Sequence, residues 1–420
     1  MAILETAHVW ATRLFFRNFF RLLLLAISCA QWGCVAWVLW AVSDVVQPPW
    51  GHALGVTAIY AVNRTLTARR PLGRASDAPL ALRVYSATAF VSLFCFSFLV
   101  VSAAMWVVGS GLAGALSAAA LPSGGYAVID GHLGPFRWFV STGMAGVTVL
   151  FVYGYAFGRR QLQVVRVPLT LRGLAPSTTL RIAQISDVHV GQNLSVGELR
   201  SFIRSVNELR PDLVCITGDI ADSPRADYER FFPILGELRA RYGVCAILGN
   251  HDHYSGADRV VAELRRWTSF RVLRDEAVTL RVGDGSLHVI GTDDRGRDWA
   301  RGVLSDARLA QLVAEAPADT PILLLSHRPD VFPYAAAAGV ALMLSGHTHG
   351  GQLAVPWFRG VRRNLAEFIT DFSRGLFERD GCYLYVNSGL GVTGQPIRLF
   401  TPREITVVEV RGADPASALT

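Results

Sequence analysis

Five short polar islands between residues 187 and 349 carry the residue types that bind divalent metal ions, and each closes an apolar run. The run 182–185 stops at Ser186-Asp187-Val188-His189, and the run 213–217 stops at Gly218-Asp219, with Asp222 three residues on. The run 244–248 stops at Gly249-Asn250-His251-Asp252, and the run 322–325 at Ser326-His327. The last, 342–344, stops at Ser345-Gly346-His347-Thr348-His349. Carboxylates, imidazoles and an amide are the donors of a site for hard-to-borderline cations. Two ions about 3.5–4 Å apart can polarise a phosphoryl group and hold both its entering and leaving oxygens.

Singly, each island has a plainer reading. Asp187-x-His189 and Gly218-Asp219 are ordinary turns, Asn250-His251-Asp252 is a helix-starting loop, and His327 is a core histidine. Together they require five coincidences in one order, against the simpler account that many chemical groups converge.

The elements that must position them are short strands. Ligand sites in open α/β sheets lie beyond the carboxyl ends of the strands, so one alignment brings all five islands to one rim. Helical spacing recurs between the strands: Ser195 and Glu198 form a capping box ahead of Leu199, Phe202, Ile203, Val206 and Leu209. Helices are also expected at 226–242, 256–267, 304–316 and 330–338, and strands follow one another more directly around 270–291. The expected fold is α/β, a layered mixed β-sheet sandwich flanked by helices.

The first part of the chain is different. Of 420 residues 51% are hydrophobic and 17% charged, too apolar for a wholly soluble protein, and the excess lies before residue 158. Four spans are expected at about 22–43, 46–63, 84–108 and 138–158, the second being short and carrying His52. The net charge of +7 comes from Arg, with no Lys. Arg13, Arg17 and Arg21, the 64–83 loop, and Arg159-Arg160 would lie on one side, and the 109–136 loop, without Arg, on the other. The positive-inside rule then makes the N-terminus and the later domain cytoplasmic, and loss of the second span would reverse this. The expected organisation is an all-α four-helix transmembrane region over 1–158, a linker and first strand over 159–180, a catalytic domain over 181–411 and a tail over 412–420. The six cysteines lack metal or redox spacing and read as buried thiols.

Taken together, Asp187-x-His189, Gly218-Asp219-x-x-Asp222, Gly249-Asn250-His251-Asp252, His327 and Gly346-His347-x-His349 resemble the calcineurin-like metallophosphoesterases over about residues 163–411. Ser326-His327-Arg328-Pro329-Asp330, Gly350-Gly351-Gln352 and residues 389–402 resemble the bacterial membrane-associated branch. The resemblance implies one metal held by Asp187, His189 and His349, a second by Asn250, His327 and His347, and Asp219 bridging them. It further implies His251 as the non-ligand histidine acting on the leaving oxygen, Asp222 orienting it, and Asp252 as a structural partner. His253 reads as an exposed loop histidine. The metals would be two divalent ions from among Mn, Fe, Zn, Co and Ni.

The implied function is a membrane-anchored hydrolase of phosphodiester or pyrophosphate bonds in a lipid or nucleotide-linked lipid, working through a hydroxide between two metals. A soluble nucleotide or a protein phosphate is the runner-up substrate, and a non-catalytic metal-dependent membrane sensor the alternative class. The partners expected are the inner-membrane bilayer and a phosphorylated lipid or nucleotide, with no nucleic acid. Transport is disfavoured because the spans lack paired intramembrane charges.

Overall fold

Residues 213–217, 244–247, 322–325 and 342–345 are buried at every position, so each of these strands carries an apolar face on either side and must be covered twice. The computed structural model describes residues 2–68, 80–120, 127–191, 193–224, 226–294, 306–356 and 362–413. Arg69, Arg70 and Arg74 of the basic loop and most of the 412–420 tail lie outside the described residues.

Residues up to 152 form one compact unit and residues from 153 a second. The first unit holds α1 (Ala2–Ser43), α2 (Pro49–Ala68), α3 (Leu80–Ala120) and most of α4 (Ala127–Ala156). Among the described residues three stretches are long and apolar enough to cross a membrane: Asn18–Ser43, Leu80–Leu112 and Leu133–Arg160. The 20-residue α2 falls short of that standard among the described residues. Pro49 opens it, as suits a first helical position. It is tied sideways by Asn63, whose Nδ2 donates to Ser28 Oγ at 2.9 Å and Gln31 Oε1 at 2.8 Å, and whose Oδ1 accepts from Tyr85 at 2.8 Å.

The second unit runs through β1 (Leu162–Leu171), β2 (Thr179–Ile185), α5 (Val196–Glu208), β3 (Leu213–Thr217), α6 (Tyr228–Leu235) and β4 (Val244–Ile247). Next come α7 (Asn250–Tyr254), α8 (Ala257–Trp267), β5 (Arg271–Val272), β6 (Glu276–Val282), β7 (Gly285–Gly291) and α9 (Asp306–Ala314). It closes with β8 (Ile322–Leu325), α10 (Phe332–Ala337), β9 (Leu342–Ser345), β10 (Ala354–Pro356), β11 (Arg362–Asn364), β12 (Gly375–Arg379), β13 (Cys382–Val386) and β14 (Arg403–Gly412).

Two six-stranded mixed sheets result, in the orders β1-β14-β2-β3-β4-β5 and β12-β13-β9-β8-β7-β6. Strands β2, β3 and β4 are parallel, as are β7, β8, β9 and β13. Ile182, Leu213, Cys215 and Ile247 of the first sheet pack against Val289, Leu323, Leu325, Leu342 and Leu344 of the second, closing the sandwich. On the outer face of the first sheet, Ala183, Ile185 and Ile216 meet Leu199 and Phe202 of α5, Phe232 of α6 and Leu264 of α8. Leu324 and Met343 of the second meet Leu312 of α9 and Phe332 of α10. The layered mixed sandwich flanked by helices is therefore the fold observed.

The capping box forms: Ser195 Oγ accepts from Glu198 N at 3.2 Å, and Glu198 Oε2 accepts from Ser195 N at 3.0 Å. The helix expected over 226–242 is shorter. It ends at Leu235, because Gly236 closes it where a Cβ would stand 2.6 Å from Trp267 O at the end of α8. The 330–338 stretch divides into a 3-10 turn, Pro329–Val331, and α10.

Candidate metal centre

Every island leaves the carboxyl end of a parallel strand: β2, β3 and β4 in the first sheet, β8 and β9 in the second. The chain bends sharply there. Asp187, His189, Asp219, His347 and His349 all have φ between 49 and 72°. Left-handed backbone is costly for such residues and clusters where the surroundings overdetermine it. Those surroundings include Asp187 N donating to Gly218 O at 3.0 Å, His189 N to Asp219 O at 3.0 Å, and His347 N to the Asp187 carboxylate at 3.1 Å. Gly346 permits the last contact, since a Cβ there would fall 1.8 Å from Ser186 Oγ and 2.4 Å from Asp187 Oδ2.

Among the described residues two clusters draw on both sheets, and a third, Asp222 and His251 with the shared His189, stands on the first sheet alone. Donor atoms of Asp187, His189 and His349 lie within 4.8 Å of one another, as do those of Asp219, His327 and His347. His189 Nε2 is 3.1 Å from His349 Nε2, and His327 Nε2 is 3.2 Å from His347 Nδ1. Asp219 Oδ2 reaches toward both clusters, 3.6 Å from His189 Nε2 and 3.2 Å from His327 Nε2. Asn250 stands at the start of α7, and among the described residues its buried Oδ1 has no hydrogen-bond partner, nor has His349 Nδ1.

Imidazole nitrogens this close cannot both present lone pairs to each other; a proton or a cation must lie between them. The electrostatics ask for that positive charge. Burial raises the Asp187 carboxyl above its usual range. Burial also opposes ionisation of Asp219, yet His327, His189 and His251 hold it well below that range. Burial works against a charged His327, but Asp219 and Asp187 push it up to about 10. Burial, with the neighbouring positive groups His327 and Arg328, keeps His347 neutral; burial and His189 do the same for His349. Carboxylates demanding a counter-charge, beside neutral imidazoles and an orphaned amide oxygen, fit divalent metal binding.

His251 lies on the open side, with Nδ1 3.5 Å from Asp222 Oδ1 and its backbone N donating to Asp219 Oδ1 at 2.8 Å. Burial is outweighed by the Asp222 contact and the charge of Asp219, which raise His251 to about 9. Asp222 also faces His189 Nδ1 at 3.3 Å, a contact the linear motif does not suggest. Asp252 is fully buried and accepts from the backbone N of Ile220, Ala221 and Gly249, bracing two strand ends. His253 is not an exposed loop histidine: its Nε2 is 2.8 Å from Asp293 Oδ1 and its side chain is largely buried.

Sequence reasoning missed the end of β7. Asp293 holds His253 and accepts from Arg274 at 2.9 Å, while Asp294 accepts from Arg328 Nε at 2.7 Å. The Arg328 guanidinium lies 3.4 Å from His347 Nε2. The signal was present, since the run 287–291 also stops at Thr292-Asp293-Asp294. That island has no histidine, so it did not stand out.

The model for calcineurin-like phosphoesterases matches residues 180–351. An uncharacterized metallophosphoesterase of Bacillus subtilis, YkuE, is 33% identical over 239 residues, covering 56% of this chain and 80% of the relative. One from Aquifex aeolicus is 31% identical over 253 residues, covering 60% and 92%. A transmembrane protein with metallophosphoesterase domain from Bos taurus is 29% identical over 277 residues, covering 63% of this chain and 61% of that one.

Proposed function

This chain belongs to the calcineurin-like metallophosphoesterases and is a metal-dependent phosphoesterase; from that premise we propose a membrane-anchored, binuclear hydrolase of phosphodiester or pyrophosphate bonds in a lipid or nucleotide-linked lipid. The observation that carries the binuclear reading is Asp219, whose Oδ2 faces a histidine of each cluster. Asp187, His189 and His349 would hold one ion, and Asn250, His327 and His347 the other. Ions bound there would supply Lewis acidity toward a phosphoryl oxygen and activate water at neutral pH.

The chain's own groups do the rest. His251, outside both clusters and oriented by Asp222, is placed to give a proton to the leaving oxygen. Support for a lipid substrate comes from the three apolar stretches ahead of this domain, each long and apolar enough to cross a bilayer. The test is the detergent-purified full chain assayed on a bis-aryl phosphodiester, an aryl monoester and a nucleotide-lipid pyrophosphate, with Mn, Fe, Zn, Co and Ni in turn. Two metal equivalents and preference for the diester or lipid pyrophosphate are expected. One equivalent or none in active enzyme overturns the binuclear reading, and exclusive monoester turnover overturns the substrate class.

We also place the catalytic domain on the cytoplasmic face of the inner membrane. With α2 crossing, the Arg-rich segments fall on one side, and its lateral hydrogen bonds through Asn63 resemble those between packed membrane helices. A reporter fused after residue 165 should be active only in the cytoplasm; activity only outside it refutes the placement.

A further inference from the structure

One stretch of the catalytic domain turns large apolar side chains to solvent. Phe368 is 88% exposed, Ile369 67%, Val355 60% and Leu365 46%. Single exposed apolar residues are ordinary, and Val164, Tyr254 and Tyr334 stand apart in the sequence in that way. These four fall within one hairpin and the turn that follows it. Val355 on β10 pairs with Arg363 on β11, and Leu365 lies two residues beyond Arg363, so all three share a face. Ala354, its partner Asn364, and Ala366 point the other way and are buried.

The ledge is anchored from below. Asn364 Oδ1 accepts from Ala366 N at 2.9 Å, and its Nδ2 donates to Ser373 Oγ and Glu367 Oε1, both at 3.0 Å. It also abuts the loop carrying His347 and His349. A Cβ on Gly351 would stand 2.8 Å from Leu365 N and 2.9 Å from Ala366 N, and Thr348 Oγ1 donates to Ser373 O at 2.6 Å. The apolar tips are therefore held out on a fixed base beside the candidate centre.

We propose that this ledge seats in the headgroup–acyl boundary of a bilayer and so presents the centre to phosphoesters lying in the membrane surface. A lipid surface is the occupant that fits because the same chain carries stretches able to cross a membrane. The mixture of aromatic, aliphatic and Arg side chains is that of interfacial segments. Arg363 pairs with Glu367 in an exposed i,i+4 contact at 2.9 Å, weak enough for its guanidinium to turn to lipid phosphate.

The inference deepens the lipid reading above, and its test needs no turnover. The full chain is reconstituted in nanodiscs of phosphatidylcholine and phosphatidylglycerol, with p-benzoylphenylalanine replacing Phe368 or, as a control, exposed Tyr334. Irradiation should give lipid adducts at 368 about tenfold above those at 334, with a lower yield when phosphatidylglycerol is omitted. Adducts no more abundant than at 334 overturn the proposal, as does a cross-link to a second copy of the chain in place of lipid. Adducts at 368 in an enzyme that cleaves only soluble esters would keep the ledge on the membrane and discard the substrate reading alone.

Discussion

The two sheets bring different chemistry to one rim. The first supplies Asp187, Asp219, Asp222 and Asn250, with His189 and His251 between them, so the negative charge facing the centre stands on one side. The second supplies imidazoles: His327 from β8, and His347 and His349 from β9. Its own rim carboxylates, Asp293 and Asp294, are engaged by Arg274 and Arg328. The first sheet alone gathers His189, Asp222 and His251, but the other two clusters need both sheets, since Asp187 and His189 need His349, and Asp219 needs His327 and His347. The centre is thus a property of the closed sandwich, and ion binding should fasten the sheets together.

Removing the carboxylate that faces both clusters should break this comparison most completely. Asp219→Asn is expected to lose bound metal and activity together, by metal analysis and turnover on the same sample. A variant that keeps two equivalents would show that the division of charge between the sheets does not govern binding.

Next in size is the open side of the first sheet. His251→Asn should retain metal while losing about 10²–10⁴-fold in turnover, less on an activated aryl leaving group. Equal losses on all leaving groups would point to electrostatic stabilisation in place of proton donation, and full activity would remove His251 from the reaction. Asp222→Asn sharpens the point. Because Asp222 touches both His251 and His189, it should give a milder turnover loss together with about 10–100-fold weaker metal binding.

The smallest expected effect on chemistry comes from the shared core. Leu344 is fully buried between the sheets, and Leu344→Ala should cost about 2–5 kcal/mol of stability. Added metal should recover part of the lost Tm, because it binds the folded state. No metal-dependent recovery, while wild type shows one, would mean that the clusters do not couple the sheets.

Much of this was legible in the chain. The strand-end islands, the Ser195–Glu198 capping box and the apolar N-terminal stretches rest on local pattern, and local pattern survives into the fold. What was missed depended on distant partners. The 226–242 helix looked continuous because nothing nearby announces that Gly236 must pass against Trp267. His253 looked exposed because Asp293 is 40 residues away.

Sequence alone determined which donors are available and that each follows a strand, because residue type and the apolar runs before them are written in order along the chain. Only the tertiary structure decided which donors meet. Asp187 and His349 come from different sheets, and Asp222 faces two histidines, because packing of Ile182 and Ile247 against Leu325 and Leu344 sets the spacing between the rims. No linear spacing encodes that distance.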